Sequence, residues 1–332
     1  MKTLIDNSDK KLSVLVIGCG NIAGGFDLHN ENKEPLTHAQ AYYQDNRYNL
    51  KACIDPNREK LLEFKNKWGF ENIYSSLNQI DHKSDRFDVI SICSPTSIHE
   101  ESLEFAIKAS PKLVFCEKPI TDDIAKTQSL IDIYKKNNIP LAVNFTRRWM
   151  SDIHEFSKDL KSRKWGKIRS IVGHYNKGLL NNGSHLIDLI HFLAGPLEIN
   201  YVGKPVFDHS EHDPSIPAIL ESEDSVPIYL NVTNSNDYSF FEIDFYMEKG
   251  IIQLTDGGRY WKTRAVEDSK EFSGYKSLGK TSIKESGYKL AMKNAVDNIF
   301  NSILKNDKLL SDASTAIETH KICSLIKEKA IS

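Results

Sequence analysis

A short apolar run, Val14-Leu15-Val16-Ile17, opens directly onto Gly18-Cys19-Gly20-Asn21-Ile22-Ala23. No other feature narrows the fold as much. A strand that ends in Gly-x-Gly-x-x-small turns sharply and starts a helix whose first amides converge on an anion. Gly18 would make the turn, and Gly20 would let a pyrophosphate approach the backbone beside Asn21 and Ile22. Ala23 would let helix and strand pack closely. Alone, such a fingerprint is weak; its place after a strand strengthens it.

The surroundings continue the pattern. Apolar runs predict strands over 12–17, 49–54, 87–92, 112–116 and 140–145. Each is apolar along its length, as strands covered on both faces are. Helical segments are expected between them, over 37–45, 56–68, 97–109 and 121–137. Pro56 suits a first helical turn and Thr121-Asp122-Asp123 a helix start. This alternation predicts an α/β fold whose first half is a Rossmann, doubly wound parallel sheet.

The pattern changes near Phe145-Thr146-Arg147-Arg148-Trp149. A helix over 151–164 is followed by predicted strands over 167–175, 197–207, 226–234, 239–248 and 250–254. Their polar interruptions suggest a large, mostly antiparallel open sheet. Inside this half, 184–194 reads as a helix, capped by Ser184 and ended by Gly195 and Pro196. The acidic segment 208–223 reads as a surface loop or strand edge. The tail over 286–330 is helical with a break near Asn306-Asp307. The expected domains are 1–146, binding a dinucleotide, and 147–332, serving substrate and oligomerisation, with the terminal helices able to pack back on the first.

With 332 residues the chain is long enough for two cores, and its net charge of −2 gives no global field for nucleic acid or anionic membrane. No apolar stretch is long enough to span a bilayer, and the first residues lack the apolar core of a leader. The five cysteines form no CxxC pair and read as buried hydrophobes of a reducing, cytoplasmic setting.

Ligands of doubly wound sheets sit outside the carboxyl ends of the strands, so those ends hold the candidate site. Asp55 ends the second predicted strand. A carboxylate there accepts hydrogen bonds from ribose hydroxyls and repels a 2′-phosphate, which favours NAD(H). Arg58 keeps NADP(H) as an alternative. Asp55 lies further from Gly18 than the usual ~20 residues, and the excess reads as an insertion around Phe26 to Pro35. Ser94, Pro95 and Thr96 follow the next strand, with His99 beyond. Glu117-Lys118-Pro119 follows Leu113-Val114-Phe115-Cys116. An ammonium there would stabilise a developing alkoxide as hydride leaves. His185, in the first turn of its predicted helix, would be kept neutral by the positive helix end and could accept an alcohol proton. Asp188 lies three residues on. A metal site of His185, Asp188 and His191 is not expected, because three-residue steps diverge around a helix.

Taken together, these segments resemble the Gfo/Idh/MocA oxidoreductases, typified by glucose-fructose oxidoreductase and inositol dehydrogenase. The matching pieces are Gly18 to Ala23, Asp55, Ser94-Pro95-Thr96 with His99, Glu117-Lys118-Pro119, and Gly183-Ser184-His185 with Asp188. The resemblance implies hydride transfer between NAD(P) and a secondary alcohol of a sugar or polyol, and a cis peptide before Pro119. It implies Lys118 as catalytic lysine and His185 as acid/base, with Glu117 and His99 on the cofactor side. Where the family commonly has aspartate, four residues before the histidine, this chain has Asn181, which orients but cannot offset imidazolium charge. Asn182-Gly183-Ser184-His185 resembles segments of members associated with surface-polysaccharide synthesis. A substrate set of Lys118, Arg148, Tyr175, Asn181, His185 and Asp188 is expected, with Arg147 and Lys177 as further cations. A homodimer or homotetramer through the second sheet is also implied. The expected function is an NAD(H)-dependent oxidoreductase of a sugar derivative, a nucleotide-sugar being one form. The alternative is a non-catalytic dinucleotide- or sugar-sensing regulator on the same fold.

Overall fold

The computed structural model describes residues 11–29, 34–82 and 84–331. The first residues, read above as lacking a leader, lie outside them. The chain forms two compact units. One runs to Asn144 and takes back Leu290–Ser314; the other holds Phe145–Lys289 and everything from Thr315 on.

The first unit is a six-stranded sheet of β1 (Leu12–Ile17), β2 (Tyr48–Ile54), β3 (Asn72–Tyr74), β4 (Val89–Ile92), β5 (Leu113–Cys116) and β6 (Leu141–Val143). Their order is β3-β2-β1-β4-β5-β6, and every pair is parallel. The order reverses between β1 and β4, and the chain leaves both strands there at their carboxyl ends. Such a switch point is where a doubly wound sheet opens a crevice. β4 and β5 are buried at every residue, which is why their sequences show no alternation. The connecting helices are α1 (His38–Gln44), α2 (Arg58–Trp68), α3 (His99–Ala109) and α4 (Ile124–Lys136).

Local capping differs from expectation at α2. Asn57 caps it, accepting from the amides of Glu59 and Lys60, so Pro56 stands outside the helix rather than in its first turn. Asp123 caps α4 through the Lys126 amide, as the Thr121-Asp122-Asp123 run predicts. The helix Ala291–Lys305 also belongs to this unit. There Tyr48 donates its hydroxyl to the Val296 carbonyl.

The second unit contains α5 (Ser151–Lys161), β7 (Ile168–Tyr175), α6 (Ser184–Ala194), β8 (Leu197–Val202), β9 (Ala218–Ser222), β10 (Pro227–Val232), β11 (Phe241–Met247), β12 (Gly250–Thr255), β13 (Tyr260–Asp268), β14 (Lys276–Leu278) and β15 (Ser282–Glu285). They form a nine-stranded sheet of order β14-β13-β12-β11-β7-β10-β9-β8, with β15 beside β13. Only β7 and β10 pair in parallel. β11 shows why one face is open. Phe241, Ile243, Phe245 and Met247 are buried, while Glu242, Asp244 and Tyr246 face the other way, partly exposed. The apolar face is covered by helices: Phe156 of α5 meets Phe245 edge-on, at 5.0 Å between ring centroids. Gly173 of β7 leaves room for Leu186 of α6, whose methyl carbon would lie 2.6 Å from a Cβ there. β9 runs through the acidic segment read as a surface loop or strand edge, and β3, β13, β14 and β15 fall outside the predicted strands.

Tyr175 does not offer itself to a substrate. It is fully buried at the end of β7, donating its hydroxyl to the Ile216 carbonyl at 2.7 Å and accepting from the Ile216 amide at 2.9 Å. Both bonding directions of the phenol go to the backbone of one residue, Ile216. Tyr175→Phe should therefore strand a buried N–H and C=O together, costing about 1–3 kcal/mol. A urea denaturation that leaves the midpoint where the wild type has it would refute this role.

Candidate functional site

A cleft of about 840 Å³ lies at the switch point of the first unit. Gly18, Gly20, Asn21, Ile22, Asp55, Ser94 and Pro95 all line it, as their motifs predict. Thr96 opens a short 3₁₀ turn, Thr96–Ile98, and is not part of the wall. Phe26, from the insertion, is on the wall without having been expected there.

The turn that makes the cleft is sterically specified. Gly18 has φ +91°, and a Cβ there would sit 2.7 Å from the Ser94 amide nitrogen and 2.8 Å from Ser94 Cα. Its own amide donates to the Ile54 carbonyl at 2.8 Å, and the Cys93 amide donates to the Ile17 carbonyl at 2.8 Å. The ends of β1, β2 and β4 are thus bonded to one another around a residue with no room for a side chain. Gly20 is the opposite case: a Cβ there would meet nothing within 4 Å. Open space over an amide of the turn, and the buried Ser94 hydroxyl without a hydrogen-bond partner, fit a phosphate-bearing dinucleotide. Asp55 Oδ2 accepts from the Cys19 amide at 2.9 Å and Oδ1 from the Asn57 amide at 2.8 Å. The carboxylate braces the turn while remaining on the wall.

Two residues assigned to the cofactor side, His99 and Glu117, hold the site from behind rather than line it. His99 is buried at the start of α3. Its Nε2 reaches the Ser94 carbonyl at 2.8 Å and its Nδ1 the Pro119 carbonyl at 2.9 Å. One ring therefore ties the segments that follow β4 and β5, and Lys118 lies in the second. The Lys118–Pro119 peptide is cis. Glu117, one residue before, turns into the core: Oε1 accepts from Asn144 Nδ2 at 2.6 Å and lies 2.9 Å from His38 Nε2. His38 Nδ1 continues to Ser91 Oγ at 3.2 Å, and Ser91 Oγ lies 2.9 Å from the Tyr42 hydroxyl. A carboxylate only accepts, so the proton between His38 and Glu117 sits on Nε2. Burial pushes the Glu117 carboxyl up, but the His38 hydrogen bond and the Asn144 amide outweigh it and hold the carboxyl below its usual value. Sequence reading missed His38, Ser91 and Asn144. The polar Ser91 inside an otherwise apolar strand was the available signal.

In the second unit Ser184 does not cap α6. A π-helical turn, Leu179–Gly183, precedes it, and Ser184 Oγ donates back to the Leu180 carbonyl at 2.7 Å. The cap is Asp213, which accepts from the amides of Leu180 at 2.8 Å and Asn181 at 2.9 Å. His185 consequently sits beyond the first turn, where the helix-end field has fallen away. Its ring meets Phe145 edge-on at 5.6 Å. Asn181 is exposed and donates its side-chain amide to the Lys177 carbonyl at 3.0 Å.

The other expected substrate groups are committed elsewhere. Arg148 and Asp188 are both buried and face each other, Nε to Oδ2, at 3.8 Å. The Arg148 guanidinium lies 3.9 Å over the Phe192 ring. Burial raises the Asp188 carboxyl to about 6, against the pull of Arg148 and the Thr319 hydroxyl. Arg147 lies 3.4 Å over the Phe241 ring and donates to the Gly257 carbonyl at 2.6 Å; its burial brings its guanidinium down to about 10. These arginines pack the unit instead of presenting cations. Among the described residues, no group of three or more His, Cys, Asp or Glu side chains could hold a metal ion, and no helix is long and apolar enough to cross a membrane.

Comparison with known proteins agrees with this fold. A family model for an oxidoreductase family with an NAD-binding Rossmann fold matches residues 12–145. The chain is similar to a myo-inositol 2-dehydrogenase of Thermotoga maritima, at 29% identity over 152 residues, 46% of this chain and 41% of that one. It spans 38% to 64% of the lengths of such curated relatives. Its fold is that of a levoglucosan dehydrogenase solved with NADH, at TM-score 0.79, 16% identity and 97% coverage of each chain. It is equally that of the WlbA dehydrogenase of Bordetella pertussis, solved with NADH and UDP-GlcNAcA, at TM-score 0.77, 16% identity and 97% and 96% coverage.

Two tests follow. Gly20→Ala should fold with wild-type stability, because its methyl meets no protein atom, yet weaken NADH binding ~10-fold or more by filling the approach to the turn. Fluorescence titration against a thermal melt separates the two effects. Because the Glu117 carboxyl is held low in the folded state, its stabilisation is present above about pH 4.5 and lost as pH falls through the depressed value. Glu117→Gln should flatten the acid limb of a stability-versus-pH curve; an acid limb as steep as the wild type's would contradict this assignment.

Proposed function

The chain belongs, through residues 12–145, to the Gfo/Idh/MocA oxidoreductases, with their NAD-binding Rossmann fold, and from that premise we propose the reaction. It transfers a hydride between NAD(H) and a secondary alcohol or ketone of a sugar derivative. The observation that carries the reading is the cradle at Gly18 and Gly20, with Lys118 following the adjacent strand and tied to the Ser94 segment by His99. The bound dinucleotide supplies the hydride acceptor or donor at its nicotinamide. Gly20, Asn21 and Ile22 would hold its pyrophosphate. Asp55 would accept from the adenosine ribose, and its charge favours NAD(H) over NADP(H).

Lys118 would hydrogen-bond the substrate oxygen and stabilise the negative charge that develops there. His185 would take the hydroxyl proton on oxidation and return it on reduction. Asn181 would orient the imidazole or the substrate hydroxyl, since it donates and accepts but carries no charge. A nucleotide-sugar in surface-polysaccharide synthesis is our preferred substrate class. Its support is the ligand of the Bordetella structure together with the asparagine in place of aspartate. The open face of the nine-stranded sheet, where Tyr201 and Tyr229 are exposed, would serve a homodimer or homotetramer.

A panel of UDP-sugars, inositols and anhydrosugars with NAD⁺, followed by NADH absorbance, tests the substrate class. On the substrate so found, Lys118→Met should lower turnover ~10²–10³-fold, as loss of a charge-stabilising donor does, while NADH titration stays at the wild-type value. Undiminished turnover by that variant would exclude the role given to Lys118.

A further inference from the structure

In a simple dinucleotide turn the chain passes from the glycines straight into the helix. Here it leaves and comes back. The amides of Gly24 and Gly25 donate to the Gly20 carbonyl, at 3.2 and 3.1 Å, and the Phe26 amide donates to the Asn21 carbonyl at 3.0 Å. This begins a helical turn. The helix then resumes at α1, where the His38 amide donates to the Ile22 carbonyl at 3.3 Å and the Ala39 amide to the Ala23 carbonyl at 2.7 Å. These bonds join the two pieces as consecutive turns of one helix are joined, with an excursion between them.

The mouth of the excursion is stapled. Asp27 is 1% exposed, and its Oδ2 accepts from the Leu36 amide at 3.0 Å and the Thr37 hydroxyl at 2.7 Å. On the other side Gly24 is pressed against α2, where a Cβ would lie 2.4 Å from Phe64 and 2.5 Å from Trp68. The start of the insertion is therefore held in place from both directions. What it presents is Phe26, 57% exposed, on the wall of the cleft that Gly18, Gly20, Asn21 and Ile22 line.

We propose that Phe26 is a cofactor-binding residue added by this insertion, its ring covering the pyrophosphate and adjoining ribose of the bound dinucleotide. The inference deepens the dinucleotide reading of the cleft and rests on it. Amides bind a pyrophosphate best where water is excluded, because the same hydrogen bonds are stronger at low local dielectric. An aromatic side wall excludes water at little entropic cost, having only two torsions to fix. The Asp27 staple keeps the ring at the turn before ligand arrives, so its effect falls mainly on release.

The test is NADH binding and stopped-flow release with wild type, Phe26→Ala and Phe26→Trp. The alanine variant should melt like the wild type without ligand, and release NADH ~10-fold faster, as burial of half an aromatic ring predicts. The tryptophan variant should keep slow release. ADP, which has the pyrophosphate but no nicotinamide, should lose affinity in Phe26→Ala by a similar factor. Wild-type release rates in Phe26→Ala, with wild type binding NADH normally, would overturn the role of Phe26 alone. Unchanged ADP affinity would overturn its placement over the pyrophosphate. Failure of the wild type to bind NADH would overturn the cofactor reading and this inference together.

Discussion

The first unit depends on a contact that no side chain could survive. Gly18 brings the end of β1 against the backbone of Ser94, with its amide on the Ile54 carbonyl. Those close approaches set the distance between the phosphate turn and the strand-end segment after β4, and so the width of the cleft. A backbone so placed costs little only for glycine, which adopts positive φ without steric penalty. Asp55, bonded to Cys19 and Asn57, then fixes the rim of the same turn.

Behind the cleft, buried charge does the positioning. Glu117 is turned inward and held by His38 and Asn144, which lie at the start of α1 and just after β6. A carboxylate with so little exposure needs hydrogen-bond partners, and here those partners join α1, β5 and the end of β6 through one oxygen. Lys118 follows that anchor directly, and His99 clamps the next residue. The lysine thus extends from a backbone held on both sides, as a group that must meet a reacting atom needs. In the second unit the same economy is visible. Arg148 with Asp188, and Arg147 over Phe241, are spent on internal order, which removes them from the expected set of substrate groups.

Reading the chain captured most of the first sheet and the helices between its strands. Buried parallel strands are unbroken apolar runs, and that signal is local. The glycine turn, Asp55 and the Ser94-Pro95 segment were legible for the same reason. The second sheet was harder. β13 and β15 carry many charges and β9 lies in an acidic stretch, because a face open to solvent tolerates polar residues and weakens the alternation. Ser184 looked like a cap because serine commonly is one. Asp213, nearly thirty residues later, took the position instead, and no local pattern announces a partner at that distance. Tyr175 looked like a ring available to a sugar because its sequence neighbours say nothing of Ile216.

What the amino-acid order by itself determined was the class of fold and the kind of cofactor. Both follow from short-range facts: hydrophobic period, glycine at a forced turn, a carboxylate at a strand end. What only the tertiary structure decided was the duty of each polar side chain. Glu117, His99, Arg148, Tyr175 and Asp188 all carry chemistry in principle, yet here they brace and pack, while Phe26 turns to the cleft. The reason is physical. A polar group is used by whatever donor, acceptor or charge folding brings within about 3 Å, and those partners are scattered along the chain.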